Sequence, residues 1–298
     1  MRAKTKMIVI VGPTASGKSD LAVEIARIFN GEVVSADSRQ VYRGLDIGSG
    51  KITKREMRRV PHHLLDVANP TRQFSVVQYR HLALRAIADI AKRRKIPILC
   101  GGTGFYIQSI ISGIVIPEVP PDEKLRKKLA TKNTDELFAI LEKLDPRRAS
   151  EIDAKNPVRL VRAIEIATTL GFVPHLATKP PSYDVLQIGI KVDRDTLREK
   201  IALRLAARMK KGMLAEGRRL HTEGLSWKRM RALGLEYRAL ADLLTGTVTR
   251  AEMEQKLATE IGQYSKRQMS WFKRDKTIKW FAPTSQAKIL REVKNFLK

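Results

Sequence analysis

Apolar residues change their spacing along this chain, and the changes divide it into three stretches. In the first hundred residues, short apolar runs alternate with helical patterns. Met7–Val11 is a run of five apolar residues, followed by glycines and a helical pattern from Lys18 to Phe29. Glu32–Asp37 reads as a second strand, and Ile96–Cys100 as another that again runs into glycines. Between them, Val77, Leu82, Leu84, Ile87, Ile90 and Ala91 mark a helix over Val76–Arg94. Continuous apolar strands alternating with helices predict a parallel sheet covered on both faces.

From about Ile116 to Tyr183 the strands stop. Proline clusters, IPEVPPDE and ATKPPSYD, bound a segment with helical stretches at Asp122–Thr131, Thr134–Leu144 and Pro157–Leu170. This predicts an all-helical insertion (116–183) hinged on its proline-rich ends, Ile116–Pro121 and Thr178–Pro181. Strand character returns at Val185–Val192. Three helices then follow, over Arg194–Glu223, Arg231–Leu244 and Arg250–Arg274. The last begins with a capping box of Thr249 and Glu252. TIKWFA is a final strand, and the C-terminus is helical. The expected architecture is one core from residues 1–115 and 184–298, with the insertion between its halves.

Composition adds a partner to this picture. The chain of 298 residues carries 57 Lys and Arg against 31 Asp and Glu, a formal charge of +26. Such an excess favours a polyanion, because each Lys or Arg that neutralises a phosphate releases condensed counterions. An anionic membrane surface is the competing reading, but no basic amphipathic helix with an aromatic-rich apolar face stands out. No apolar run approaches the ~20 residues that span a bilayer. The basic prefix before Met7 resembles a secretory leader only superficially: the apolar run passes directly into a glycine-rich motif with no small-residue cleavage site. A single cysteine, Cys100, excludes an internal disulfide framework and fits a reducing cytoplasm.

The glycine-rich motif carries the first chemistry. Gly12, Pro13, Thr14, Ala15, Ser16, Gly17, Lys18 and Ser19 match G-x-x-x-x-G-K-[ST] between a strand and a helix. Main-chain N–H groups in such a loop cradle phosphates, helped by the helix N-terminus. Lys18 brings a mobile charge, and Ser19 is positioned to ligate Mg²⁺. The expected fold is thus α/β, a P-loop NTPase-like parallel sheet flanked by helices, with a helical insertion and a helical C-terminal region. The motif is strong for a di- or triphosphate and silent on the reaction. Asp37 closes the second strand, on the side where parallel strands face their ligand. It suits an Mg²⁺-bound water or a nucleophile's proton, although Asp is also a common turn former. The next strand ends in CGGTGFY, where a nucleotide hydrolase would place a metal-binding acid. Glycines and Thr103 stand there instead, which argues against a motor ATPase but not against a small-molecule kinase.

Basic residues cluster in helices, with Arg159 and Arg162 three apart and SKRQMSWFKRD interleaving cations with Trp271 and Phe272, near Tyr264. Such a pattern serves RNA, with aromatics on unpaired bases and Arg on phosphates, or forms a solvated face over a core stripe. His62 and His63 lack a metal-ligand spacing partner. Cys100 reads as a small buried hydrophobe, and Trp227 and Trp280 as packing residues.

Taken together, GPTASGKS, DSRQVYRGLDIGSGK, PHHLLD, GGTGFY, NPVRLVRAIEI, RALGLEYRAL and YSKRQMSWFKRD resemble, in order and over residues 8–282, the bacterial tRNA dimethylallyltransferases (tRNA isopentenyltransferases). The resemblance implies transfer of a dimethylallyl group from dimethylallyl diphosphate to N6 of adenosine 37 in tRNAs that read codons beginning with U. On it, the P-loop and Arg218 would hold the donor's diphosphate with Mg²⁺, Asp37 would accept the N6 proton, and Thr103 would bond at the reacting centre. Asp37, Ser38, Arg39 and Gln40 would lie against a flipped-out adenosine. Arg126 and the segment Val158, Arg159, Leu160, Val161 and Arg162 would contact the anticodon stem-loop. Arg231 to Glu236, including Gly234, and Lys266, Arg267 and Gln268 to Lys273 would take further tRNA contacts. The enzyme would act as a monomer. Two stretches depart from the family's usual DIGTAKP and GY: DIGSGKIT and GLEY. The relative that prenylates free AMP fits less well, since the insertion and the +26 charge have no use there.

Overall fold

The computed structural model describes residues 4–114, 116–175 and 183–298. It divides into two compact units, residues 1–113 with 180–298, and residues 114–179.

The first unit is built on six parallel strands: β1 (Thr5–Val11), β2 (Gly31–Ser35), β3 (His62–His63), β4 (Ile96–Gly101), β5 (Tyr183–Ile190) and β6 (Lys279–Phe281). Their order is β3-β2-β4-β1-β5-β6. Val9 lies opposite Leu99 on one side and Gln187 on the other, so β1 is central and its apolar run is buried on both faces. Alternate residues feed two cores. Met7, Val9, Val11, Val34 and Leu99 point to one face. Ile8, Ile10, Val33, Ile98 and Ile188 point to the other.

The smaller core lies under α1 (Lys18–Ile28) and α13 (Gln286–Leu297), which contribute Ala22, Ile25, Ile289 and Val293. The larger takes α2 (Val76–Lys92), α3 (Gly104–Ile111), α8 (Arg194–Lys210), α9 (Met213–Thr222), α10 (Trp227–Ala232), α11 (Leu235–Leu244) and α12 (Arg250–Phe272). Ser75 and Thr249 each form a capping box at the start of α2 and α12.

Two expected helices are broken. Arg194–Glu223 is split at Gly212, which adopts φ 97° and starts α9. Arg231–Leu244 is interrupted at Gly234, with φ 113° and ψ −164°, a conformation open essentially only to glycine. The short edge strand β3 and the helix α3 escaped the periodicity, since two residues define no period and Gly104–Ile111 follows its strand after only two.

The second unit contains α4 (Glu123–Leu129), α5 (Thr134–Leu144), α6 (Pro146–Glu151) and α7 (Pro157–Leu170). Asp122, Asn133, Asp145 and Asn156 cap their N-termini, and Pro146 and Pro157 occupy first-turn positions that need no N–H donor. Leu129, Leu137, Leu141, Leu160, Ile164 and Ala167 form its separate core. The expected hinge at Thr178–Pro181 lies outside the described residues. Among the described residues, no helix is long and apolar enough to cross a membrane.

Candidate active site

The P-loop turns between β1 and α1, and two cavities open beside it. The first, of 270 Å³, is lined by Thr14, Ala15, Lys18 and Ser19 of the loop, by Asp37, Ser38, Arg39 and Gln40 after β2, and by Gly234, Glu236 and Tyr264. The second, of 430 Å³, takes Ala15 to Asp20, the stretch Asp46–Glu56 in part, and Lys211. Lys18, Ser19, Gly50, Arg204 and Arg208 line both. In the first cavity four cations, Lys18, Arg39, Arg204 and Arg208, face two carboxylates, Asp37 and Glu236. The balance favours an anion.

Lys18 curls over its own loop, its Nζ donating to the Pro13 carbonyl at 3.2 Å. Burial pulls the pKa of this ammonium below its usual value, against the opposing pull of Cys100 and Asp37. The Ser16 hydroxyl is buried without a hydrogen-bond partner among the described residues. Gly12 and Pro13 are buried and shape the turn without lining either cavity.

Asp37 is both turn former and cavity residue. Its Oδ1 accepts from the N–H groups of Arg39 at 2.8 Å and Gln40 at 3.3 Å. No hydrogen bond to Oδ2 is made by the described residues, and the side chain lines the cavity that Lys18 also lines. Thr103 sits behind this turn. Its hydroxyl accepts from the Ser38 N–H at 3.0 Å. Burial pushes the Tyr264 phenol up to about 12, so it remains a donor through the physiological range. Thr103 thus ties the Asp37–Gln40 turn to the start of α3 and does not line the cavity.

Several expected ligand contacts take other places. Arg218 is exposed on α9 and lines neither cavity. The helical arginines that do are Arg204 and Arg208, one turn apart on α8. Spacing alone could have flagged them, but nothing in the sequence brings α8 to the P-loop. Gln268 is 6% exposed. Its Oε1 accepts from Thr14 N–H and its Nε2 donates to Gly102 O, so it is a tie between two loops and not a surface for RNA. Lys266 and Arg267, beside it on α12, are exposed. Arg267 lies over the Tyr264 ring at 5.8 Å. Arg231 binds Asp242 at 2.7 Å and Thr245 at 2.9 Å, joining α10 to α11. Phe272 is core, and Trp271 packs where a Cβ on Gly104 would otherwise stand.

In the second unit, Leu160 is fully buried, Val161 is partly buried against the same core, and Arg126 and Arg162 both bind the buried Glu165. Of that segment, Val158 and Arg159 face solvent.

Glu236 ends the segment Arg231–Glu236 that the resemblance assigns to tRNA, and it lines the first cavity. Burial raises its pKa against the pull of Arg208, whose Nη1 stands 3.4 Å from its Oε1. Cys100 also lines the first cavity, but burial pushes its thiol up to about 12, which fits a packing role. His62 and His63 are both hydrogen-bonded, to Val60 O and Glu32. Trp227 stacks on His221, and Trp280 packs against Gly189. No group of three or more His, Cys, Asp or Glu placed to hold a metal occurs among the described residues.

Comparison with known proteins places this geometry. The family model described as IPP transferase matches residues 40–275. The tRNA dimethylallyltransferase 2 of Citrifermentans bemidjiense is 43% identical over 91% of this chain and 87% of its own length. That of Trichlorobacter lovleyi is 44% identical over 92% and 91%. The crystal structure of full-length tRNA isopentenylpyrophosphate transferase from Bacillus halodurans superposes with a TM-score of 0.76 at 34% identity, covering 99% of this chain and 97% of that one. With a family model over most of the chain and relatives above 40% identity along nine-tenths of it, the chain belongs to the IPP transferase family.

Proposed function

We propose that this chain, acting as a cytoplasmic monomer, transfers a dimethylallyl group from dimethylallyl diphosphate to N6 of adenosine 37 in tRNAs that read codons beginning with U. The observation that carries the reading is that the phosphate-binding residues Lys18 and Ser19 and the carboxylate of Asp37 line one cavity of 270 Å³. An electrophile anchored by its diphosphate and a nucleophile giving up a proton meet there. Family membership and the names of the relatives support the donor and the acceptor.

In this reading the P-loop amides and Lys18 hold the diphosphate, with Arg204 and Arg208, which line the same cavity, neutralising charge that develops as it leaves. The C1–O bond of the donor breaks, the C1–N6 bond forms, and the N6 proton passes to Asp37. An allylic carbon carries partial positive charge, which lets a weakly nucleophilic amine attack. Mg²⁺ would be held by the Ser19 hydroxyl together with the diphosphate, since no cluster of acidic or imidazole ligands stands here among the described residues. It would supply charge neutralisation of the leaving group. Arg39, Gln40, Gly234 and Tyr264 line the side of the cavity suited to a flipped-out base. Exposed Val158 and Arg159, and Lys266 and Arg267, are the surfaces we assign to the anticodon stem-loop.

The test is transfer of label from radiolabelled dimethylallyl diphosphate with Mg²⁺ to unmodified tRNA, with AMP in parallel and ATP as an alternative donor. Label in tRNA that disappears when adenosine 37 is replaced is the expected result. Label in AMP alone, or phosphate transfer from ATP, would overturn it.

A further inference from the structure

Glu216 lies on α9 and lines neither cavity. It is 5% exposed, and its carboxylate is nevertheless crowded with donors. Oε2 accepts from the N–H groups of Asp46 at 3.0 Å and Ile47 at 2.6 Å. Oε1 accepts from the N–H of Gly48 at 2.9 Å and from the Tyr237 hydroxyl at 2.8 Å. Three consecutive main-chain N–H groups converging on one anion form a nest of the kind that ordinarily binds phosphate. Here the chain fills it with its own carboxylate, 168 residues away from Gly48.

The turn so held leads straight to substrate-facing positions. Ser49 and Gly50 line the first cavity, and Asp46, Ile47, Gly50 and Lys51 the second. Its carbonyls are tied as well: Gly48 O accepts from Arg208 Nη1 at 2.8 Å, and Gly50 O from Gln40 Nε2 at 3.4 Å. A Cβ on Gly48 would stand 2.8 Å from the Tyr237 ring and hydroxyl, so the turn is seated directly on its support.

We propose that Glu216 is a positioning residue for substrate binding: by filling the nest, it sets the turn over residues 46–51, which lines one cavity with Ser49 and Gly50 and the other with Asp46, Ile47, Gly50 and Lys51. The kinetic part of the test rests on the dimethylallyl-transfer reading, and the exchange part does not. Removal of a wall built before substrate arrives weakens binding of ground and transition states alike, which raises KM and spares kcat.

The experiment compares wild type with Glu216→Gln and Glu216→Gly, checked for folding by circular dichroism and thermal melting. Glu216→Gln is expected to raise the donor KM about tenfold with kcat held within about threefold. Glu216→Gly, which opens room for a small carboxylate, should lose more and recover in formate or acetate, which leave wild type unchanged. Amide exchange at residues 46–48 should quicken in both variants and slow again with formate, and affinity for inorganic diphosphate should fall in step. A folded Glu216→Gly protein with wild-type KM and exchange overturns the proposal, as does one that formate fails to restore. Should neither variant fold, Tyr237→Phe, which removes one donor from the carboxylate, is read on the same measurements. A rise of about two- to threefold in KM supports the proposal, and no change overturns it. Wild type that transfers no label sinks the transfer reading and leaves exchange and diphosphate affinity to judge Glu216.

Discussion

Gln268 Oε1 accepts a hydrogen bond from the Thr14 main-chain N–H at 2.9 Å, and the same side chain donates from Nε2 to Gly102 O at 2.9 Å. One amide thereby clamps the P-loop to the turn after β4, its carbonyl accepting on one side and its NH₂ donating on the other. Glu at this position keeps the acceptor, loses the donor and sets a negative charge beside the P-loop. Gln268→Glu is expected to lower kcat/KM about 10- to 100-fold, mainly through donor KM, with tRNA affinity within about threefold in filter binding. Equal loss of tRNA affinity would return Gln268 to the RNA surface.

The glycines of that turn separate stability from binding. A Cβ on Gly101 would lie 2.2 Å from the Ala36 carbonyl oxygen, a backbone atom that cannot step aside. On Gly102 it would lie 2.2 Å from the Gln268 amide, the end of a flexible side chain. Gly101→Ala should therefore cost about 3 kcal/mol in urea unfolding. Gly102→Ala should cost less in stability and show itself as weakened donor binding.

Asp37 serves the turn through Oδ1 and the cavity with the remainder of its carboxylate. Asn retains an oxygen for the turn and cannot take a proton. Asp37→Asn is expected to lower kcat about 10²- to 10⁴-fold while tRNA and donor binding stay near wild type. Asp37→Ala should also loosen the turn and lower stability. A kcat within a few-fold of wild type in Asp37→Asn would remove the general base from the mechanism.

Glu32, wholly buried in β2, binds Arg93, Lys95 and His63. The Arg93 guanidinium, more than any other group, holds its pKa down at about 2 against an ordinary value of 4.5. A depressed carboxylate contributes stability above its unfolded pKa and loses it as pH falls through the folded one. The stability difference between wild type and Glu32→Gln should hold constant near neutrality and shrink between pH 4.5 and about 2. Urea titrations at stepped pH measure it, and a difference independent of pH would refute the linkage.

In the helical unit, Glu165 accepts from Arg126, from Arg162 and from the Asp122 N–H, with no exposure of its own side chain. Glu165→Gln removes the buried carboxylate that both arginines bind. Because both are partly exposed, the loss should fall at the lower end for a broken buried pair, about 3 kcal/mol. Hydrogen exchange confined to residues 114–175 would register it, with the sheet unit unchanged.

How much of this was legible in the chain depends on distance along it. The P-loop, the alternation of strands and helices, the capping boxes and the helices Thr134–Leu144 and Pro157–Leu170 are local patterns, set by spacing and propensity within a dozen residues. Motif likeness marked out segments but could not give the role of each residue within them. Leu160 and Arg159 are neighbours in one motif, and helical phase sends the first to the core and the second to solvent. In the same way Gln268 points inward while Lys266 and Arg267 point out.

By itself, then, the sequence determined the phosphate cradle, the parallel sheet with its helical insertion, and Asp37 at a strand's ligand-facing end. Tertiary structure alone decided which long-range partners meet there: Gln268 with Thr14, Glu216 with the turn at Gly48, and Arg208 with the Gly48 carbonyl. Those pairs are separated by 160 to 254 residues wherever they are bonded. Packing of helices against the sheet brings them together, and the breaks at Gly212 and Gly234 set how α9 and α11 arrive. No short-range pattern encodes a meeting of that kind, because its geometry exists only once the core has formed.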